Sequence, residues 1–290
     1  MATSRQRSGR GGPVPRFPFH QRRGNAGITR WPSGAARRLI VAALPSVFAG
    51  HVSGQTLERI SDPNLHAWYM YFGDHPAGKG PWGVHFDGQW RRQGVGEKWQ
   101  QLLLRPGVNY DFTDRLQASG GYAFIKSHRY GSNPAEFVTP EQRIWQQLLV
   151  RQKAARSNLA HRFRLEQRYM GVKSRDAMGG ERLDRYVHRN RFRYAIRAVI
   201  PLKGSQRESQ YFVALSNEVK FNFGPNTQNN IFDQNRAYAA LGRKLPWLGN
   251  LEVGYMQQTV QQGNGRVFEF NHTLQVGLFS TLPFGRNSSP

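Results

Sequence analysis

An alternation of arginine with apolar side chains is the feature of this sequence that most limits its fold. From Arg189 to Arg193 every second residue is arginine, and Phe192, Tyr194 and Ile196 follow the opposite parity. Successive side chains of a β-strand point to opposite faces, so this spacing places the arginines on one face and the apolar side chains on the other. At the helical repeat the same arginines would scatter around the cylinder. The stretch therefore predicts a β-strand with one polar and one apolar face.

The same alternation recurs in the stretch 161–169 and along most of the chain after residue 64. Nearly all of these segments are longer than the usual globular strand, and their length suits tilted strands that cross a membrane. The predicted strands lie near 64–73, 82–93, 98–112, 115–127, 141–153, 158–172, 185–201, 209–223, 232–244, 250–261 and 267–282.

Long strands with one polar and one apolar face are typical of an outer-membrane β-barrel. A soluble β-sandwich also alternates, but it accounts less well for the strand lengths and the many aromatic residues. The fold class predicted is all-β, a transmembrane antiparallel up-and-down β-barrel. Because bacterial barrels usually have an even number of strands, we expect twelve, with Thr56–Pro63 as the additional strand, and ten as the alternative.

The N-terminal region has a different composition. Residues 1–38 contain nine arginines and no acidic residue, and an apolar stretch at about 39–50 follows Arg37-Arg38. This order is typical of a secretory signal peptide, and the apolar stretch is too short to span a membrane. We predict residues 1–54 as a basic disordered N-terminus plus signal peptide, 55–284 as the barrel and 285–290 as a C-terminal tail. The expected location is the outer membrane of a Gram-negative cell.

Connections between the predicted strands indicate an orientation. Short turns near Thr113-Asp114, Ala154–Asn158, Gly204–Glu208 and Pro246–Asn250 alternate with longer loops at 128–140, 173–184, 224–231 and 262–266. Periplasmic turns and extracellular loops alternate in this way. The last strand is then predicted to end at Phe284, beside the periplasm.

Several motifs in this order resemble one bacterial family: HRFRLEQRY at 161–169, HRNRFRYAIRAVIPL from His188, LSNEVKFN, FDQNRAYAALG, LEVGYMQQ and NHTLQVGL. Together they resemble the domain-of-unknown-function family 2490, whose members look like exported outer-membrane β-barrels. The resemblance implies the fold and the location. It implies no activity, so it assigns no catalytic residue.

If the polar parity faces the lumen, its basic residues outnumber its acidic ones. Arg91 and Lys220 belong to the inward basic set, and Glu166 is expected to pair with an arginine of the 189–197 strand, since adjacent strands bring side chains to about 5 Å. The candidates for lining the lumen or binding an anion are Arg105, Arg162, Arg164, Arg168, Arg189, Arg191, Arg193, Arg197 and Arg236. Their acidic partners are predicted to be Asp87, Asp111, Glu166, Glu218 and Glu252.

Three functions are compatible with this sequence. The lumen is an anion-selective pore or an anion-binding site, or a filled, purely structural ion-pair network, or part of an outer-membrane hydrolase acting on lipid. The sequence contains no metal-ligand spacing and no nucleotide motif, so no metal and no cofactor are expected. The expected partners are outer-membrane lipid and lipopolysaccharide, the barrel-assembly machinery and a small anionic solute, and not nucleic acid.

Overall fold

The chain forms a closed β-barrel of long strands. The computed structural model describes residues 60–131, 134–203, 209–227, 229–263, 265 and 267–283. The strands are β1 Ile60–Pro76, β2 Trp82–Gln93, β3 Lys98–Thr113, β4 Leu116–Ser127, β5 Thr139–Ala154, β6 Ser157–Arg175, β7 Glu181–Pro201, β8 Tyr211–Phe223, β9 Phe232–Leu245, β10 Gly249–Gln261 and β11 Val267–Ser280. No helix in this described part is long and apolar enough to span a membrane.

Every strand pairs with its neighbours in sequence, and the barrel closes between its first and last strands. Consecutive strands are antiparallel, whereas β1 and β11 run parallel, with Ile60 opposite Val267 and Gly73 opposite Ser280. Eleven alternating strands require such a seam, because the first and the eleventh run in the same direction.

The strand count among the described residues is eleven, between the ten and twelve that were predicted. Each segment predicted from the alternation is present as a strand. Residues 60–63, expected within a separate strand, instead extend β1 along β11. The count is therefore odd although the all-β barrel prediction is confirmed.

The two ends of the barrel differ in their connections. We call the end with the two-residue turns 114–115 and 155–156 the turn rim, and the opposite end, with the β4–β5 and β8–β9 connections, the loop rim. The predicted loop at 173–184 is mostly strand, because β6 continues to Arg175 and β7 begins at Glu181. The predicted signal peptide, the turn at 204–208, Phe284 and the tail 285–290 lie outside the described residues.

The barrel is polar inside and apolar outside. Inward side chains such as Asp87, Glu166 and Thr273 are fully buried, while the outward Phe192, Leu215 and similar residues are exposed. Two apolar clusters interrupt the polar interior. One is formed by Trp68, Phe212, Ala214, Tyr238, Ala240 and Met256, and the other by Leu103, Ala123, Ile125 and Trp145.

The second cluster depends on two facing glycines. Gly107 of β3 lies opposite Gly121 of β4. A Cβ on Gly107 would lie 2.5 Å from the Trp145 ring, and a Cβ on Gly121 would lie 2.3 Å from the carbonyl oxygen of Pro106. The absence of a side chain at Gly107 leaves room for the Trp145 ring, and the absence of one at Gly121 lets β3 and β4 approach closely; the Trp145 Nε1 donates to the carbonyl of Tyr122.

Candidate functional site

The centre of the lumen is organised around Glu166 of β6, which is fully buried. Its Oε2 accepts hydrogen bonds from Nε and Nη2 of Arg191 at 2.9 and 2.5 Å, and its Oε1 accepts one from Nη1 of Arg193 at 2.7 Å. Arg143 and Arg105 approach the same carboxylate at 3.7 and 3.8 Å. The predicted pairing of Glu166 with the arginine-rich strand β7 is present, and four cations surround this one carboxylate.

A second carboxylate, Glu218 of β8, is surrounded in the same way. Its Oε1 accepts from Arg193 at 2.6 Å and from Arg162 at 2.7 Å. Lys220 and Arg236 lie 3.4 and 3.7 Å from its Oε2. Because Arg193 contacts both Glu166 and Glu218, it joins the two clusters into one network.

Towards the loop rim the network continues through two more carboxylates. Glu141 accepts from Arg143 at 2.7 Å and from Arg168 at 2.5 Å. Asp233 lies 3.0 Å from Arg191 and 3.8 Å from Arg168. These contacts tie β5, β6, β7 and β9 together across the lumen.

Asp233 reaches the lumen through a β-bulge. The register between β8 and β9 shifts between Lys220, which faces Gln234, and Phe221, which faces Phe232. The extra residue of a bulge re-aims a side chain that simple alternation would send to the other face. Strand parity alone therefore could not have identified Asp233 as a lumen residue.

Two further ion pairs complete the described lumen. Arg105 lies directly opposite Asp87 and donates to it at 2.5 Å. Nearer the turn rim, Arg197 pairs with the buried Glu252, which also accepts from the Tyr238 hydroxyl at 3.3 Å.

Cations outnumber carboxylates in this network. Contacts within 4 Å connect five carboxylates to eight cations. The carboxylates are those of Asp87, Glu141, Glu166, Glu218 and Asp233. The cations are Arg105, Arg143, Arg162, Arg168, Arg191, Arg193, Lys220 and Arg236. Burying a charge is expensive unless an opposite charge compensates it. The surplus makes this lumen suited to an additional anion.

Arg91 and Arg164 add to the surplus, since neither has an ion pair with a described residue. Arg91 bonds to the amides of Gln89 and Gln101 and lies over the Trp68 ring at 3.8 Å. Arg164 bonds to Gln147 and lies over the Trp145 ring at 4.9 Å. Amide and aromatic contacts hold both guanidinium groups without neutralising them.

A cavity of about 260 Å³ lies between the Glu166 cluster and the turn rim. Six arginines and the carboxylates of Asp74 and Glu218 line one part of it, and an apolar part is lined by Trp68, Met70, Phe72, Leu149 and Phe279. Since β6 starts at the turn rim, its lining residues Ala160, Arg162 and Arg164 lie between that rim and Glu166. The site is therefore amphipathic.

A histidine–carboxylate pair also borders this cavity. Nδ1 of His85 lies 2.7 Å from Oδ1 of Asp74, which also accepts from Asn109. The buried Nε2 of His85 has no hydrogen-bond partner among the described residues. Acyl hydrolysis needs a nucleophile within hydrogen-bond reach of such a base, and no described hydroxyl occupies that position. Ser216 lines the same cavity but makes no such contact.

A side chain from the β4–β5 connection packs against β1 near the loop rim. The Tyr130 ring packs edge-on against His66, with 5.6 Å between ring centroids. Burial raises the pKa of the Tyr130 phenol, with the negative charge of Glu269 as a smaller cause. The phenol therefore remains neutral at physiological pH.

Most of the predicted lumen residues lie in or beside this network, with two exceptions. Asp111 is exposed at the turn rim, where it lies 3.6 Å from Arg151 and accepts from the buried Gln117 at 2.9 Å, so it lies at the mouth of the lumen and outside the network. Arg189 is half-buried towards the loop rim and donates to the carbonyl of Asn226 at 3.0 Å. Asp111 lies near the end of β3, whereas Arg189 lies well inside β7, and neither has an ion pair with a network residue in the described part of the chain.

Three charged members of the network were missed. Glu141 and Arg143 share the parity of the buried Trp145 in β5, so the alternation could have identified them. Asp233 could not be found in this way because of the bulge.

The family model described as Protein of unknown function (DUF2490) matches residues 65–269. The chain belongs to this family. The DUF2490 match begins in β1, ends in β11 and contains the carboxylates of the lumen network.

An uncharacterized protein of Methylorubrum extorquens is similar to this DUF2490 chain. The two are 28% identical over 183 residues, which is 62% of this chain and 72% of the relative. No solved structure matches the chain. The function of this DUF2490 member must therefore be argued from its own residues.

Proposed function

We propose that this DUF2490 barrel resides in the outer membrane and that its lumen is closed and binds an anion. The observation that carries the functional part is the cation excess around Glu166 and Glu218 in a buried network. Its outward face would contact lipid and lipopolysaccharide, and its insertion would depend on the barrel-assembly machinery.

The outward surface supports a membrane location. Large apolar side chains are exposed on β2, β7, β8 and β10, among them Trp82, Phe86, Phe192, Leu215 and Val253. A soluble protein rarely exposes apolar patches larger than a few hundred Å². Lipid is the solvent in which such a surface is stable, and a closed barrel leaves no unpaired strand edge in it.

The buried network favours retention of an anion over conduction. Glu166 and Asp87 are fully inaccessible to solvent, and Arg105, Arg191 and Arg193 are nearly so. A pore of the porin type needs a water-filled path. Here ion pairs join side chains of strands up to three apart, such as Arg105 of β3 and Glu166 of β6, and the cavity lies on the turn-rim side.

Two measurements test the location and the closed lumen. We expect the protein in the outer-membrane fraction, with heat-modifiable migration on a gel, and recovery of a soluble periplasmic protein would contradict the location. In planar bilayers we expect no steady conductance in a salt gradient. Anion-selective current would contradict the closed lumen and restore the pore hypothesis.

A control variant makes the bilayer result interpretable. Replacing Glu166 and Glu218 together by alanine removes both carboxylates at the network's centre and should loosen it. This variant should insert and conduct while the unmodified protein does not. The missing conductance of the unmodified protein is then caused by the network and not by a failure to insert.

A further inference from the structure

We infer that the cavity beside the turn rim binds a single-chain aliphatic carboxylate. This inference rests on the proposed anion-binding function and specifies the ligand class. Four side chains lining the cavity each carry a buried nitrogen that lacks a hydrogen-bond partner among the described residues: Nε of Arg105, Nε of Arg162, Nη1 of Arg164 and Nε2 of His85.

Arg164 is the strongest of these anchors. Its side chain is almost fully buried, and among the described residues it donates hydrogen bonds to the neutral amide of Gln147 alone. Buried polar groups normally have partners, so an unused guanidinium nitrogen beside a cavity points to a ligand that supplies one. A carboxylate accepts such charge-assisted bonds well.

The relation of Arg164 to Trp145 places a second donor close by. The guanidinium carbon of Arg164 lies 4.9 Å from the centroid of the Trp145 ring, and the centroid of the His85 ring lies 5.0 Å from the same point. The side chains of Arg164 and His85 therefore border the same end of the cavity. When protonated, His85 can donate from Nε2 while Asp74 holds Nδ1.

The remaining wall indicates an alkyl chain behind the charged group. The side chains of this wall offer no hydrogen-bonding group other than weakly accepting sulfur. They belong to Met70, Phe72, Leu149, Met256 and Phe279. Water would gain little there, whereas methylene groups gain about 0.8 kcal/mol each on burial. The cavity of about 260 Å³ corresponds to on the order of nine waters, which suits one chain of moderate length and not a diacyl lipid.

Exposure indicates where such a ligand enters. The side chains of Arg162 and Arg197, nearer the turn rim, are 29% and 27% exposed, whereas that of the deeper Arg193 is 6% exposed. The cavity is thus open towards the turn rim and closed by the Glu166 network. A carboxylate head would enter first and reach the deep cations, with the chain trailing.

Calorimetric titration of the full barrel in nanodiscs of zwitterionic lipid tests this, with empty nanodiscs titrated in parallel. The probes are decanoate, decanol and inorganic phosphate. We expect decanoate to bind one per barrel and about tenfold more tightly than decanol, because a hydrogen bond to a charged group is lost with the alcohol. Equal binding of decanoate and decanol, or of decanoate and phosphate, would overturn the inference.

Variants locate the site. Arg164→Gln should weaken decanoate about tenfold and leave decanol unchanged, whereas the exposed control Arg182→Gln should change neither. Ala195→Phe, which fills the cavity without altering charge, should abolish binding of both. If Arg164→Gln fails to fold, the Ala195→Phe variant and the comparison of decanoate with decanol still test whether the ligand binds in this cavity. Undiminished binding of decanoate to Ala195→Phe would refute the site. Failure of decanoate to bind would not affect the results on location and conductance. The carboxylate site and the closed outer-membrane barrel can therefore be rejected independently.

Discussion

Arg191 and Glu166 lie directly opposite each other on adjacent strands, and the arginine gives Nε and Nη2 to one carboxylate oxygen. The other oxygen is left for Arg193. Both oxygens of one buried acid are thereby shared between arginines two residues apart in sequence. The alternation of the arginines creates this geometry, since only every second residue of β7 faces the lumen.

Glu166→Gln should strongly destabilise the barrel. The amide is nearly the same size, but it leaves four buried guanidinium groups around an uncharged residue. Removing one partner of a buried ion pair costs about 3–5 kcal/mol. The measurement is the temperature at which the folded gel band is lost. Glu181→Gln, which alters an exposed ion pair at the loop rim, is the control and should have little effect. Equal behaviour of the two variants would argue against Glu166 as the centre of the network.

Gly121→Ala should destabilise the wall beside Trp145. The new methyl group would lie 2.3 Å from the Pro106 carbonyl oxygen, so backbone must move, and such overpacking costs about 1–3 kcal/mol. Gly96→Ala is the matched control, because its methyl group would meet open space. The temperature at which the folded gel band is lost measures the difference in stability between the two variants. A fully stable Gly121→Ala would mean that β3 and β4 do not approach so closely.

A cysteine pair tests the parallel seam. The chain contains no cysteine, so Tyr69→Cys with Val276→Cys introduces a single reactive pair at partnered positions of β1 and β11. We expect a disulfide on oxidation, because partnered Cα atoms fall within the range of about 4.4–6.8 Å that a disulfide spans. Tyr69→Cys with Leu274→Cys, displaced by two residues, should react poorly. Efficient bonding only in the displaced pair would require a different register, and bonding of neither pair would indicate another strand in the seam.

A charge on the outer wall tests the membrane location. Phe192 is near the middle of β7 and faces outward. Phe192→Lys should impair insertion, since a lysine at the bilayer midplane of a barrel costs about 2–4 kcal/mol. Val95→Lys, at an exposed site in the β2–β3 connection, should insert normally. The amount of each variant in the outer-membrane fraction is the readout, and equal amounts would contradict a lipid-facing Phe192.

Alternation predicted the strands well because its period is a property of the backbone itself. It placed Glu166, Glu218 and the β7 arginines on one face before any contact was known. It failed for Asp233, where a bulge adds one residue, and it did not show that Asp111 lies at the exposed turn rim and outside the network. It also could not give the strand number, because closure between β1 and β11 depends on pairing across the whole chain. Which arginines lack a carboxylate partner depends on contacts across the lumen, and local sequence does not encode these directly.

The seam between β1 and β11 also bears on how the barrel is made. Its partners, such as Ile60 and Val267, are the most distant in sequence of all paired strands, whereas every other pairing joins consecutive strands. Contacts of large sequence separation carry the largest loop-closure entropy and tend to form slowly. The growing sheet would therefore assemble as an open ribbon, strand by strand, with ring closure as its last and slowest step. Until that step the cations of β6 and β7 would lie on an open surface, and closing the ring would be the event that dehydrates them.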